Sequence, residues 1–318
     1  MIIQILLLLL GFGILIKGAD WLVEGGSALA RKYRVSELAI GLTIVAFGTS
    51  MPEFVVNAFA AYESKADIVF GNIIGSNIFN LFAILGIAGL ITPIVVQSST
   101  VWKEIPYSFL AVLLLFFLSN SFLSENESLT RIDGIILLIF FLIFLYYVFR
   151  QLSKDTILLE TNRIELSNLK IWTFILVGLI FLVAGGRLVV INSVLIAQSL
   201  GISQTIIGLT IVAAGTSLPE LATSVVAAAK RSNDIAIGNI IGSNIFNIFF
   251  VLGASALIRP VDFNVKFNID IYLLGAGTIL LFLAMYSGKK KKLDRWEAGT
   301  MLLIYIGYVI YLINNEMH

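Results

Sequence analysis

The chain has 318 residues, of which 58% are hydrophobic and only 13% are charged, with a net charge of +1 and a mean hydropathy of +0.97. Soluble domains are about half apolar and about a quarter charged, so this composition excludes an ordinary soluble protein, and the near-zero charge argues against nucleic acid as a partner. Cysteine is absent, which excludes disulfides and thiolate metal sites, and the single histidine, His318, is the last residue. The apolar runs are continuous and not alternating, which predicts an all-α integral membrane protein and not a β-barrel.

Ten apolar runs predict ten transmembrane helices, because a helix needs about 20 apolar residues to cross a bilayer. The first run has neither a basic n-region nor a small-residue cleavage pattern, so we interpret it as a retained span and not a signal peptide. In chain order the predicted spans are 2–30, 36–62, 67–92, 104–121, 129–150, 168–199, 203–229, 235–258, 268–287 and 295–313.

Lysine and arginine are distributed unequally between the two sides of these spans. Connections that follow odd-numbered spans contain 15 of them, whereas connections that follow even-numbered spans contain four. The positive-inside rule places the odd connections in the cytoplasm. We therefore expect a multi-pass protein of the plasma (inner) membrane with both termini extracytoplasmic.

Single-cysteine labelling tests this topology cleanly, because the unmodified chain contains no cysteine. We expect a membrane-impermeant thiol reagent to label a Glu63→Cys variant from outside intact cells. A Glu160→Cys variant should react only after the membrane is opened, since its connection carries four basic residues. Labelling of position 160 from outside would contradict the topology.

The sequence also repeats itself at an offset of 167 residues. Residues 41–93 and 208–260 match without a gap at about 31 of 53 positions. Five predicted spans separate the copies, and an odd number means that equivalent helices cross in opposite directions. This predicts two inverted five-helix repeats, 1–150 and 168–318, joined by a cytoplasmic linker, 151–167, into one membrane domain, with helices 2, 3, 7 and 8 interrupted as in secondary transporters.

The motifs "AFGTSMPEFV" (46–55) and "AAGTSLPELA" (213–222) place a proline and a carboxylate within apolar spans. Pro52 and Pro219 each lack an N–H group, so they predict a helix break that frees backbone carbonyl oxygens. Hydroxyl and carboxylate side chains stand beside each break, and oxygen ligands without nitrogen or sulfur suit hard cations such as Ca²⁺ and Na⁺. These side chains are Thr49, Ser50 and Glu53 in the first copy and Thr216, Ser217 and Glu220 in the second.

The second half of each copy contains "GNIIGSNIFN", which adds further oxygen-bearing side chains. Ser76 and Asn80 are four residues apart and share a helix face, as do Ser243 and Asn247. The glycines of this motif allow another helix to approach closely. A serine or glycine in a membrane helix more often packs than binds, whereas a buried glutamate in a span indicates function because its burial is costly.

On these two motifs the sequence closely resembles the sodium/calcium exchanger family of the cation/calcium antiporter superfamily, and the resemblance covers most of the chain. It implies exchange of Na⁺ for Ca²⁺ by alternating access, in which the first and sixth spans slide past a fixed core. The long connection that carries calcium-sensing domains in regulated animal members is missing, since only some 17 residues join spans five and six. Carried over position by position, the implied ligands are the Ala46 carbonyl, Thr49, Ser50, Glu53, Ser76 and Asn80, mirrored by Ala213, Thr216, Ser217, Glu220, Ser243 and Asn247.

One departure from the family concerns charge. Many relatives place an aspartate at one of the positions that Asn80 and Asn247 occupy here, so this site carries a charge of −2 when both glutamates ionise. A Ca²⁺/H⁺ antiporter and a K⁺-dependent Na⁺/Ca²⁺ exchanger are the alternatives within transport, and a cation channel is a further one. No span contains histidine or cysteine, so we expect no enzyme activity. We expect no cofactor beside the transported Ca²⁺ and Na⁺, and function as a monomer in the lipid bilayer.

Overall fold

The computed structural model describes residues 1–120, 127–152, 166–201, 213–287 and 291–316, and most of them are helical. Four two-residue strands lie in the connections: β1 (Ile94–Val95), β2 (Ser128–Leu129), β3 (Val261–Asp262) and β4 (Lys292–Leu293). The helices are α1 (Ile2–Tyr33), α2 (Glu37–Thr49), α3 (Met51–Tyr62), α4 (Ala66–Ile91), α5 (Thr100–Ser119), α6 (Arg131–Leu152), α7 (Asn168–Ser199), α8 (Ala213–Gly215), α9 (Leu218–Ala229), α10 (Asn233–Ile258), α11 (Asn268–Ser287) and α12 (Arg295–Glu316).

The predicted membrane spans recur as long apolar helices. Among the described residues, eight helices are long and apolar enough to cross a bilayer, and α2 with α3 forms a ninth span that is bent by 47°. The bend falls at Ser50, where Pro52 predicted a break. Of the predicted seventh span, residues 213–229 form α8 and α9, and residues 203–212 lie outside the described part of the chain.

The interruptions predicted in the third and eighth spans are wrong. The helices there, α4 and α10, are each continuous over 26 residues, and neither contains a proline that would break it. Each instead widens into a π-helical stretch, Phe79–Ile84 in α4 and Phe246–Leu252 in α10. Such stretches often mark functional sites, and these two contain Asn80 and Asn247.

The two π-containing helices form the centre of the molecule. Of the 18 most apolar consecutive residues in each helix, 83% are buried in α4 and 94% in α10, compared with 11% in α12. A helix that is apolar all round and buried all round has neighbours on every side. Polar groups on α4 and α10 are therefore shielded from lipid, which is the condition for an ion site within a membrane.

The longest helices, α1 and α7, pack against each other through glycines. At about 1.5 Å per residue, 32 residues extend about 48 Å, well beyond the bilayer core of about 30 Å. A Cβ atom on Gly18 would lie 2.8 Å from the carbonyl oxygen of Gly178, and one on Gly178 would lie 2.9 Å from that of Gly18. The two backbones touch directly, as in small-residue helix pairs of membranes.

This contact predicts the effect of one methyl group. Gly18→Ala should destabilise the protein by about 1–3 kcal/mol, the usual cost of overpacking, because backbone atoms of α7 cannot move aside singly. The matched control is Gly13→Ala on the same helix, where an added Cβ meets no described atom within 4 Å. Thermal unfolding of the purified proteins in detergent should separate the two variants; equal unfolding temperatures would contradict the close contact.

The strands join connections that are distant in sequence. β1 pairs antiparallel with β4, and β2 pairs antiparallel with β3. The first ribbon thus joins the connections after predicted spans three and nine, and the second joins those after spans four and eight. Odd connections pair with odd and even with even, the same grouping that the basic residues indicate.

Candidate functional site

Two broken helices place the glutamates inside the molecule. Ser50 and Ser217 leave ideal helical geometry, with φ/ψ of −83°/5° and −89°/9°, and each precedes a helix that has proline in its first turn. Glu53 and Glu220 lie in the first turns of α3 and α9 and are fully buried. The N-terminal end of a helix favours negative charge, so each break supplies part of the stabilisation that a buried carboxylate needs.

Each glutamate is hydrogen-bonded to the other copy of the repeat. The Ser50 hydroxyl donates to Oε1 of Glu220 over 2.8 Å, and the Ser217 hydroxyl donates to Oε1 of Glu53 over 2.9 Å. Ser243 joins this group, with its hydroxyl 3.3 Å from the same Oε1 of Glu220. The structure therefore brings both breaks to one central point.

Several buried oxygens at this point accept no hydrogen bond within the described residues. Every one can coordinate a cation, and a buried oxygen without a partner is costly to a protein. Five of them belong to predicted site residues: Oε2 of Glu53, Oε2 of Glu220, Oγ of Ser76, Oδ1 of Asn80 and Oδ1 of Asn247. The set contains oxygen alone, which fits hard cations.

The predicted threonines are held by asparagines of the opposite copy. The Thr49 hydroxyl donates to Oδ1 of Asn239 over 3.0 Å, and the Thr216 hydroxyl donates to Oδ1 of Asn72 over 3.3 Å. When its proton is used in this way, a hydroxyl oxygen keeps its lone pairs for another partner. Both threonines thus remain able to bind a cation.

The predicted backbone ligands are less open. The carbonyl oxygen of Ala46 already accepts a hydrogen bond from the Ser50 N–H group, over 3.0 Å, and the Thr49 hydroxyl oxygen lies 3.3 Å from it. Ala213 is the first residue of the short helix α8. A cation at the Ala46 carbonyl would use the lone pair that the Ser50 N–H group leaves free.

Four asparagines at the site were not among the predicted ligands: Asn72, Asn77, Asn239 and Asn244. They bond to site residues of the other copy, and three of the four are buried. The sequence contained a signal for them, because "GNIIGSNIFN" is identical in both copies and includes all four. Spacing alone does not separate an asparagine that faces an ion from one that faces another amide.

Carboxylates are few at this site. Across the described ranges, no three residues of the types His, Cys, Asp or Glu come together in a way that could hold a metal ion. Glu53 and Glu220 are instead hydrogen-bonded to neutral hydroxyl groups. Two charges among neutral oxygens, enclosed in a bundle of apolar helices, are the features of a membrane cation transporter.

The chain belongs to the sodium/calcium exchanger family. The family model, described as sodium/calcium exchanger protein, matches residues 3–150 and 170–314. This family consists of membrane antiporters that exchange Ca²⁺ for other cations. The prediction that the chain is a membrane cation antiporter is thereby confirmed.

Individual relatives match over nearly their whole length. The chain is 39% identical to a candidate antiporter, CaxA, of Alkalimonas amylolytica over 99% of this chain and 100% of that protein. It is 32% identical to the sodium/calcium exchanger MaX1 of Methanosarcina acetivorans over 98% of both chains. Its fold is similar to that of the sodium-calcium exchanger NCX_Mj, with a TM-score of 0.83 and 33% identity over 98% of this chain and 99% of that one.

Proposed function

We propose that this protein exchanges Na⁺ for Ca²⁺ across the plasma membrane by alternating access. The observation that carries the proposal is the group of five unpaired buried oxygens beside the two broken helices. Protein donors satisfy one oxygen of each glutamate and leave the other free, which is what a cation ligand requires. The proposed site consists of Ala46, Thr49, Ser50, Glu53, Ser76, Asn80, Ala213, Thr216, Ser217, Glu220, Ser243 and Asn247.

The charge of this site explains why exchange is coupled. Two ionised carboxylates buried together are costly unless a cation compensates them. A Ca²⁺ ion or a set of Na⁺ ions relieves that cost, and shared oxygens prevent both loads from binding at once. Only loaded states then change access readily, so each ion returns the carrier for the other.

The architecture supplies a route for changing access. The buried helices α4 and α10 form a core with the two broken spans, whereas α1 and α7 contact each other far more than they contact the other described residues. In the proposed cycle α4, α10 and the two broken spans hold the ion site fixed while the α1/α7 pair slides past it. Structures of NCX_Mj soaked with Na⁺, Ca²⁺ and Sr²⁺ concern ion exchange and binding-site occlusion in that protein, which supports a comparable cycle here.

Reconstitution tests the proposal and its rivals together. Liposomes containing the purified protein are loaded with Na⁺, H⁺ or K⁺ singly, or with Na⁺ and K⁺ together, and Ca²⁺ uptake is measured under each outward gradient. We expect uptake with the Na⁺ gradient alone. Uptake driven only by protons would replace the proposal with Ca²⁺/H⁺ antiport, and uptake that needs Na⁺ and K⁺ together would indicate the K⁺-dependent exchanger.

We further predict that exchange does not require K⁺. Ca²⁺ together with K⁺ brings three positive charges, while Glu53 and Glu220 supply two negative ones and the free Oδ1 atoms of Asn80 and Asn247 carry no formal charge. Like charges a few ångströms apart in a protein repel by several kcal/mol. Replacing K⁺ by choline at constant ionic strength should therefore leave Na⁺-driven Ca²⁺ flux unchanged, and Asn247→Asp should increase binding of monovalent cations or protons relative to Ca²⁺. A large loss of flux in choline would refute this reasoning.

A further inference from the structure

Two asparagines form a reciprocal bridge between α4 and α10 at the centre of the molecule. Nδ2 of Asn77 donates to the backbone carbonyl of Asn244 over 3.2 Å, and Nδ2 of Asn244 donates to the backbone carbonyl of Asn77 over 3.4 Å. Both side chains are buried, at 0% and 4% exposure. We call this pair the amide bridge.

The bridge fixes which way its own amides point. A backbone carbonyl only accepts hydrogen bonds, so the atom that faces it must be Nδ2 and not Oδ1. The Oδ1 atoms of Asn77 and Asn244 are consequently turned toward their other neighbours. The backbone thus settles an orientation that a side-chain amide by itself leaves open.

The next amide on each helix inherits its orientation from the bridge. Oδ1 of Asn244 accepts from Nδ2 of Asn80 over 3.1 Å, and Oδ1 of Asn77 accepts from Nδ2 of Asn247 over 3.0 Å. Asn80 and Asn247 must therefore present Oδ1 on their opposite side, and these are two of the unpaired oxygens of the proposed site. If either amide were reversed, an NH₂ group would face the ion and repel it.

We propose that Asn77 and Asn244 are positioning residues for ion binding, because the amide bridge turns the carbonyl oxygens of Asn80 and Asn247 toward the cation. Each acts on the ligand of the opposite repeat, so the bridge also ties the two halves of the site together. The inference rests on the proposed function, since it assigns an ion to those oxygens. Outer partners of metal ligands typically contribute 10–100-fold to affinity.

Titration calorimetry of Ca²⁺ binding to the purified protein in detergent tests the positioning role. Asn244→Leu removes the acceptor that holds Asn80, and we expect Ca²⁺ affinity to fall about tenfold or more. The matched control is Asn120→Leu, which breaks another reciprocal asparagine pair, Asn120 with Asn268, between the residue that follows α5 and the first residue of α11 (2.9 and 2.8 Å). That control should leave Ca²⁺ affinity unchanged.

A second background separates positioning from simple packing. In an Asn80→Asp protein both terminal atoms are oxygens, so orientation no longer matters, and adding Asn244→Leu should lower affinity less than about twofold if the two positions are coupled. An equal loss in both backgrounds, or no loss with Asn80 intact, would overturn the inference. If Asn244→Leu does not give monodisperse protein, Asn77→Leu compared in the wild-type and Asn247→Asp backgrounds makes the same test on the other arm of the bridge.

The proposed function and the positioning role of the amide bridge can be contradicted separately. If the unmodified protein binds Ca²⁺ but does not exchange it for Na⁺ in liposomes, the proposed function is wrong, and the binding comparison still decides the role of the bridge. If the unmodified protein does not bind Ca²⁺, both are wrong. Normal exchange by the unmodified protein together with unchanged Ca²⁺ affinity in Asn244→Leu would rule out the positioning role alone and leave the proposed function intact.

Discussion

Glu53→Gln and Glu220→Gln should each abolish Na⁺-driven Ca²⁺ uptake while leaving a folded, monodisperse protein. Glutamine has nearly the same shape as glutamate, and its oxygen can still accept the hydrogen bond that a serine hydroxyl donates to Oε1 in the native protein. Its second terminal atom is then an NH₂ group, placed where the unpaired Oε2 stands in the native protein. Each substitution thus removes one negative charge and replaces one cation ligand with a hydrogen-bond donor.

We expect each substitution to cause a large loss of Ca²⁺ affinity. A pair of unit charges 4 Å apart is worth about 4 kcal/mol at an effective dielectric constant of 20, and each 1.4 kcal/mol changes affinity about tenfold. The glutamine oxygen recovers part of this when its amide turns, so we expect Ca²⁺ affinity to fall roughly 100-fold or more. Transport at ordinary Ca²⁺ concentrations should then be undetectable.

Glu104→Gln is the matched control, since Glu104 is another fully buried glutamate within a membrane helix, α5. It accepts a hydrogen bond from the Tyr147 hydroxyl on α6, which glutamine can also accept. This variant should keep its transport, because Glu104 is not part of the proposed site. Normal uptake by either Glu53→Gln or Glu220→Gln would remove that residue from the site.

The sequence predicted the broken spans because proline acts locally. Pro52 removes one N–H group from a helix regardless of its surroundings, and the chain does bend beside it. No such local rule applied to α4 and α10, where interruptions were expected from the inverted-repeat pattern of secondary transporters. The glycines of α10 make the close approach that the sequence predicted for them: a Cβ added to Gly238 would lie 2.9 Å from the Leu38 carbonyl oxygen of α2, and one added to Gly242 would lie 3.0 Å from the Leu42 carbonyl oxygen. They serve close packing in an unbroken helix.

The hydrogen-bond partners at the site could not be predicted from the sequence. The pairs Ser50 with Glu220 and Ser217 with Glu53 join residues more than 160 positions apart, and periodicity carries information only about neighbours on one helix. The repeat indicated that equivalent motifs would face each other, but not which hydroxyl would meet which carboxylate. That assignment depends on how closely the helices approach in three dimensions.

A disulfide between α7 and α8 should stop exchange reversibly. A Cβ atom on Gly215 would lie 3.6 Å from Cβ of Val190, within the range of about 3.5–4.5 Å for a disulfide. Val190 belongs to the proposed sliding pair, whereas Gly215 lies beside the ion site. We therefore expect the Val190→Cys/Gly215→Cys protein to lose Na⁺-driven Ca²⁺ uptake when oxidised and to regain it when reduced.

The matched control joins two residues within the sliding pair. A Cβ on Gly11 of α1 would lie 3.0 Å from Cβ of Leu188 on α7, so a Gly11→Cys/Leu188→Cys disulfide forms after the helices separate by a few tenths of an ångström. If α1 and α7 move as one body, this bond does not oppose the motion, and uptake should persist after oxidation. Because the chain has no native cysteine, both bridges form without competition.

Together the two engineered disulfides distinguish an arrested helix movement from a weakened ion site. Gly215 is next to Thr216, so Gly215→Cys by itself can weaken ion binding, and the reduced double variant is the proper reference for its own oxidised form. Loss of uptake in the α7–α8 bridge, persistence in the α1–α7 bridge and retained Ca²⁺ binding in both would support sliding of the pair past a fixed core. Full exchange by a completely bridged α7–α8 protein would mean that these helices do not separate during transport, and the ion site would have to change access by another motion.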